Sequence, residues 1–227
     1  CMTQWLGGMG IIVLSVALLP ALGAGGYRML KAEAPGGAVY ERDKPRITDA
    51  AKELWWLYIL LSFLAFVLYR LAGMTTFDAV CHAFTTLSTG GFSTHSESAA
   101  YFSAQIQWLM IIFMFLAGIN FTLHARLIRL KFGSVFRNPE LQLYTGLTLL
   151  VTLVSCMQLR NYPTFGALEE ILRASLFQAL TVITTTGFAT ENFDLWPSLI
   201  RYILLLLMFF GGCMGSTAGG MKMARIL

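Results

Sequence analysis

The sequence predicts an all-α integral membrane protein built from repeated units, each a spanning helix, a re-entrant half-helix, a loop and a second spanning helix. Three observations carry this expectation. Of the 227 residues, 56% are hydrophobic and 12% charged, roughly half the charged share of an ordinary soluble domain. A soluble helical core would then lack the polar residues needed to cover its surface. Apolar runs close to the length of a bilayer crossing recur along the chain. Finally, FTTLSTGGFST from residue 84 and LTVITTTGFAT from residue 180 align at an offset of 96, with identities at Thr85/Thr181, Thr89/Thr185, Gly91/Gly187, Phe92/Phe188 and Thr94/Thr190.

Five strongly apolar segments set the spanning helices: 4–19, 54–72, 106–123, 141–159 and 199–212. Each is long enough to cross, or nearly cross, a hydrocarbon core about 30 Å thick. Trp5, Trp55, Trp56, Tyr69, Trp108, Tyr144 and Trp196 fall at or near segment ends, where an aromatic belt places them. Two semi-apolar stretches, 77–87 and 168–183, are too short to span and suit re-entrant half-helices. Asp78 is the expected cap of the first. Thr164 is the expected start of the second, with Glu169 and Glu170 near its positive end.

The order helix, half-helix, Thr/Gly loop, helix therefore occurs twice. Leu6-Gly7-Gly8, Leu116-Ala117-Gly118 and Phe210-Gly211-Gly212 occupy similar places in the first, third and fifth segments. This gives residues 1–20 as the closing helix of a truncated first repeat, 21–53 as a connection, 54–133 as a second repeat and 134–227 as a third. Ordinary close helix packing through small residues is the other reading of the glycine pairs. Starting at Cys1 and stopping after a basic cluster, the chain reads as a section of a longer protein.

Twelve of the sixteen Lys and Arg lie in residues 20–53, 124–140 and 222–225, against Arg70, Arg160, Arg173 and Arg201 in the other connections. The positive-inside rule makes the basic connections cytoplasmic and puts both Thr/Gly loops on the outer side.

Irregular backbone at membrane depth is tolerated where protein or a water-filled path covers its polar groups. A glycine-bearing extended loop there exposes carbonyl oxygens, and rings of carbonyls replace the hydration shell of a permeating cation. Thr89-Gly90-Gly91-Phe92 and Thr185-Thr186-Gly187-Phe188 meet those demands: glycine for unusual backbone, hydroxyls as extra oxygens, and no carboxylate to hold an alkali ion too tightly. The half-helices preceding them direct negative dipole ends inward. Surface turns are the alternative for a single such string; two copies in the same context favour an ion path.

The stretch Gly211-Gly212-Cys213-Met214-Gly215-Ser216-Thr217-Ala218-Gly219-Gly220 holds five glycines in ten residues, a heavy load for a straight helix at up to about 1 kcal/mol each relative to Ala. It reads as a broken helix beneath the loops. Lys222 after it is either a pore contact or a snorkelling anchor. His82 reads as a packed residue, and Asn120 and Thr122 as facing either the pore or a neighbouring helix. The scattered Cys1, Cys81, Cys156 and Cys213 and the three histidines show no zinc spacing and no disulfide framework.

The strings TQWLGGMGIIVL at 3–14, FDAVCHAFTTLSTGGFSTH at 77–95, TTTGFATENFDLWP at 184–197 and GGCMGSTAGGMK at 211–222 resemble the Trk/Ktr/HKT superfamily of potassium transporters, and within it the bacterial TrkH branch. The resemblance covers essentially the whole chain. It implies four helix–pore-loop–helix repeats around a pseudo-fourfold ion pore, with the first filter loop and the fourth repeat absent here. It implies potassium uptake through a carbonyl-lined selectivity filter of Ser88, Thr89, Gly90 and Gly91 with Thr184, Thr185, Thr186 and Gly187. It implies that potassium is held at Thr89, Gly90, Thr185 and Thr186. It further implies a gating loop of Gly211, Gly212, Gly215, Ser216, Thr217, Ala218, Gly219, Gly220 and Lys222.

The expected ligand is K+, with no organic cofactor in this chain. Expected partners are membrane lipid, a second copy in a homodimer and a TrkA-like or KtrA-like cytosolic nucleotide-binding subunit, with no nucleic acid. The expected location is the bacterial inner membrane. Two rivals remain. A secondary transporter of sodium or a small solute would show an inverted repeat, whereas the two copies here share orientation. An intramembrane enzyme needs a nucleophile–base pair, and Ser216 with the distant His124 is a poor one.

Overall fold

The computed structural model describes residues 1–8, 46–130, 132–160 and 165–227. Most of the first apolar segment, most of the connection at 21–53 and the expected helix start at Thr164 lie outside the described residues. Among those described, nine α-helices follow one another, with no β-strand. They are α1 (Met2–Gly8), α2 (Arg46–Leu71), α3 (Thr76–Leu87), α4 (Ala104–Ala117), α5 (Phe121–Ile128), α6 (Phe132–Phe136), α7 (Pro139–Leu159), α8 (Leu168–Ile183) and α9 (Ser198–Leu207).

The packing is inside-out relative to a soluble protein. On α2, Trp56, Leu60, Phe63, Leu64 and Leu71 are exposed while Ser62 is buried; on α7, Leu149, Leu150, Leu153 and Met157 are exposed while Thr148, Thr152 and Ser155 are buried. The buried hydroxyls return to their own helix: Ser62 Oγ donates to Tyr58 O at 2.7 Å, Thr148 Oγ1 to Tyr144 O and Thr152 Oγ1 to Thr148 O, both at 2.8 Å. An apolar outer face with self-satisfied polar groups inside suits lipid as solvent. Among the described residues, 52–71 and 139–159 are the stretches long and apolar enough to cross a membrane as single helices.

Two expected spans are not continuous helices. The segment expected at 106–123 is α4 and α5, bent by 100° across a short break. Gly118 ends α4, and Asn120 caps α5 by accepting from Thr122 N at 2.9 Å. Asparagine has a better use at such a cap than in a helix interior, because its side chain satisfies a free amide. The segment expected at 199–212 stops at Leu207. Ten residues reach about 15 Å, half a bilayer core, and residues 208–222 continue without regular helix.

The half-helices form as expected, with one correction. Asp78 does not cap α3. Thr75 does, accepting from Asp78 N at 3.1 Å from an extended backbone, and donating its hydroxyl to Asp78 Oδ2 at 2.7 Å. On α8, Glu170 Oε2 turns back to accept from Gly166 N and Ala167 N at 3.2 and 3.4 Å. α3 packs between α1, α2 and α4, and α8 between α7, α4 and α9, so each half-helix is jacketed by the longer ones.

Candidate functional site

The ends of α3 and α8 have the same construction. Thr89 N donates to Thr86 O at 3.1 Å and Gly90 N to Thr85 O at 2.8 Å; 96 residues on, Thr185 N donates to Val182 O and Thr186 N to Thr181 O, both at 2.9 Å. These nested bonds close a helix whose first residue beyond the cap is left-handed. That residue is Thr89 at φ +51 in one copy and Thr185 at φ +56 in the other, followed two residues later by Gly91 at φ +68 and Gly187 at φ +86. Glycine takes positive φ without cost; a β-branched residue there is a genuine outlier.

The two loops meet where Gly91 packs on the Thr186 carbonyl. The Thr186 carbonyl oxygen lies so close to the Gly91 α-carbon that a Cβ on residue 91 would stand 1.8 Å from it, whereas a Cβ on residue 187 would meet open space. Ser88, Thr89, Thr184 and Thr186 are buried. Thr184 Oγ1 donates to Leu180 O at 2.6 Å and lies 2.7 Å from Thr186 Oγ1. Helix α1 covers the first loop from one side, with Gln4 Nε2 at 3.5 Å from Gly90 O.

The glycine-rich segment sits against both loops. Its limbs are paired: Gly211 N donates to Met221 O at 2.9 Å and Met221 N to Phe209 O at 3.2 Å. At its tip the Thr89 hydroxyl lies between Ser88 O at 2.7 Å and Thr217 O at 2.9 Å, and Gly219 N donates to Thr185 Oγ1 at 2.7 Å. Gly211, Gly212 and Gly215 back this fold, Gly211 so tightly that a Cβ would stand 2.0 Å from Gly219 O. Lys222 folds back on the segment. Its amine donates to the carbonyls of Ser216 and Ala218 inside the segment, because those carbonyls have no helix to bond. Ser216 is buried with Oγ donating to Cys213 O at 2.6 Å.

Sequence reasoning missed the seat of this segment. Cys213 N donates to Gly118 O at 2.9 Å, Phe121 N donates to Gly215 O at 3.1 Å, and Thr217 Oγ1 donates to Ala117 O at 3.2 Å. The α4/α5 break and the glycine-rich segment thus satisfy each other's orphan backbone groups. Met214 N donates to Glu140 Oε2 at 3.0 Å. The signals were present, since Gly118 followed by Asn120 is a stop and a cap, and Asn138-Pro139 starts the helix that carries Glu140.

Around the limb of the first loop that follows Gly91, Asp78 is buried and accepts from Thr94 Oγ1 at 2.6 Å; His95 Nε2 stands 3.5 Å from its other oxygen. These bonds, Thr94 foremost, hold the Asp78 carboxyl below the usual carboxylate range against the opposing effect of burial. His82 is packed, as expected, edge-on to Phe102 and stacked on Phe188. Among the described residues no group of three or more His, Cys, Asp or Glu is placed to hold a metal. The oxygens gathered at the loops are instead backbone carbonyls and hydroxyls, the donor set of a weakly held alkali ion.

The sequence model of the TrkH family of cation transport proteins matches residues 1–227. The chain is 40% identical over 228 residues to the Trk system potassium uptake protein TrkH of Salmonella typhimurium, covering 100% of this chain and 47% of that protein. It is 35% identical over 226 residues to the Trk system potassium uptake protein TrkI of Halomonas elongata, covering 98% and 45%. The crystal structure of the potassium transporter TrkH from Vibrio parahaemolyticus matches with a TM-score of 0.78 at 39% identity, over 98% of this chain and 45% of that one. The chain spans about half the length of the curated relatives it matches.

Proposed function

The chain belongs to the TrkH family of cation transport proteins, and from that membership we propose that it is part of a potassium uptake protein of the bacterial inner membrane. Residues 54–133 and 134–227 are two of its pore repeats, arranged about a pseudo-fourfold axis with repeats outside this chain. Transport rather than catalysis is the activity of the family.

One observation carries the mechanism. Two loops of identical backbone construction meet at Gly91 and Thr186, each at the C-terminal end of a half-helix. Their carbonyls and hydroxyls replace the water lost by K+, and the half-helix dipoles favour its charge. Ser88 to Gly91 and Thr184 to Gly187 form the filter, with K+ at Thr89, Gly90, Thr185 and Thr186. The segment from Gly211 to Lys222, pressed on both loops through Thr217 and Gly219, is the gate, because it closes the inner side of the same loops. The membrane potential drives uptake at about 2.3 kcal/mol per charge per 100 mV. A homodimer and a cytosolic nucleotide-binding subunit complete the assembly, the latter acting on the gate.

The test is ion flux through the complete gene product in liposomes, with K+ and Na+ exchanged and the regulatory subunit present or absent. Selective K+ flux that is degraded in Gly91→Ser and Gly187→Ser supports the filter. Flux indifferent to both glycines would remove these loops from the ion path.

A further inference from the structure

The two copies of the loop are not held in the same way. In the first copy, the limb after Gly91 is tied to its own half-helix. Thr94 Oγ1 donates to Asp78 Oδ1 at 2.6 Å. His82 Nε2 lies 3.0 Å from Ser93 Oγ, with His82 Nδ1 2.8 Å from Asp78 O. Thr75 fixes the other carboxylate oxygen. At the offset of 96, Asp78 becomes Ala174, His82 becomes Gln178, Ser93 becomes Ala189, His95 becomes Glu191 and Thr75 becomes Ile171. Only Thr94 keeps its identity, as Thr190. The consequence is visible: Thr190 Oγ1 and Gln178 Oε1 are buried with no hydrogen-bond partner among the described residues, and Thr190 and Ala174 line a cavity of about 260 Å³.

The second limb is tied to its own half-helix only at its start, where Thr181 Oγ1 donates to Phe188 O at 2.9 Å, and beyond Phe188 it hangs on the first. Ala189 N donates to Ser98 Oγ at 3.2 Å and Ala100 N donates to Ala189 O at 3.1 Å. The limb that receives it is folded back by the stacking of His95 on Tyr101, ring centroids 3.7 Å apart. Support therefore runs from Asp78 through Thr94 to the first limb, and from the first limb to the second loop.

We propose that Asp78 is a positioning residue for both filter loops, the first directly and the second through the Ala189 contacts, so that ion discrimination depends on a carboxylate that touches no ion. This rests on the filter reading above. A buried carboxylate accepting two hydroxyl bonds is a firm anchor, since hydrogen bonds to a charged group are the strong ones. A carboxylate at the third position of α3 also faces the positive end of that helix.

The experiment compares Thr94→Val with Thr190→Val in the complete protein, alongside Asp78→Asn. Thr94 and Thr190 are equivalent positions with the same side chain; among the described residues only Thr94 has a hydrogen-bond partner for its hydroxyl. K+ over Na+ discrimination in liposomes and hydrogen exchange of the two limbs are read together. Thr94→Val and Asp78→Asn lower discrimination by about tenfold or more, the worth of a bond to a charged acceptor. They also speed exchange at residues 187–191 as well as 92–101. Thr190→Val changes both readouts by less than about twofold, since it breaks no bond.

Equal damage from Thr190→Val and Thr94→Val overturns the proposal, as does unchanged discrimination in Asp78→Asn. If Asp78→Asn does not fold, the near-isosteric Thr94→Val decides alone. If the intact protein does not discriminate ions, the filter reading fails, and exchange at 187–191 still judges the line of support: no acceleration on losing the Thr94 bond refutes it.

Discussion

Gly91 and Gly187 occupy the same place in the repeat, yet replacing them by alanine should have unequal effects. Both have positive φ, +68 and +86, so either alanine strains the backbone by about 1–2 kcal/mol. For Gly187→Ala that is the whole cost, because its Cβ enters open space. For Gly91→Ala the new Cβ would stand 1.8 Å from Thr186 O and 2.7 Å from Thr186 C. Both are backbone atoms that no rotamer change can move. The loops must separate until the contact reaches about 3.0 Å, the closest that real Cβ atoms show, and forced overpacking of this kind adds about 1–3 kcal/mol.

A shift of about 1 Å between preorganised groups is enough to cost on the order of 100-fold in function. Rb+ and Na+ uptake into liposomes holding the complete protein is the assay. Gly187→Ala should retain K+-type selectivity with flux reduced by about 5–30-fold, the population equivalent of its strain. Gly91→Ala should lose discrimination altogether. Equal losses, or a more severe Gly187→Ala, would refute the argument that contact between the loops sets the geometry.

Gly211→Ala drives a Cβ to 2.0 Å from Gly219 O and splays the limbs of the gate, so flux without the regulatory subunit should rise above that of the intact protein in the same uptake assay. Thr185→Gly removes both a strained φ and the acceptor of the Gly219 amide. Selectivity should survive and subunit-independent flux should rise, whereas Thr185→Val keeps the strain and loses the same bond, so that flux should rise with selectivity weakened. Asp78 is held below the usual carboxylate range, so its contribution is present at neutral pH and lost only as pH falls through that lowered value. Selectivity measured against pH should be flat from pH 8 to about 4 and decline below.

Much of the architecture was legible because membrane segments announce themselves by length and apolarity. The half-helices expected at 77–87 and 168–183 are observed as Thr76–Leu87 and Leu168–Ile183, since turn-forming and polar residues bound each apolar stretch. The two broken spans were harder for one reason. Hydropathy counts Phe209 to Gly212 as spanning residues, but cannot report that the Phe209 carbonyl and the Gly211 amide bond to Met221, and the Gly212 carbonyl to Met223, rather than along a helix. The repeat at offset 96 placed both Thr/Gly loops together. It did not reveal that Thr186, rather than a glycine, is the residue against which Gly91 packs. The direction of the Lys222 side chain likewise depends on which carbonyls the broken segment leaves free, a property of the fold and not of the local sequence.

The two left-handed threonines tie the two loops to the glycine-rich segment. Holding a non-glycine residue in that region costs about 1–3 kcal/mol, and glycine, already present two residues later in each loop, would remove the cost. The strain is retained at the same position of both copies, so the side chain must do something glycine cannot. A threonine hydroxyl both donates and accepts, and here each role is used: Thr89 Oγ1 lies in donating range of Thr217 O, and Thr185 Oγ1 accepts from Gly219 N. The carbonyl of residue 217 and the amide of residue 219 are gripped from two sides by two filter loops. At about 0.5–1.5 kcal/mol net per bond, the grip holds the segment in place yet lets go under a modest load. A gate held this way cannot move without freeing the hydroxyls that brace the strained residues. Under the proposed function, opening of the gate and the rigidity of the filter are linked through Thr89 and Thr185.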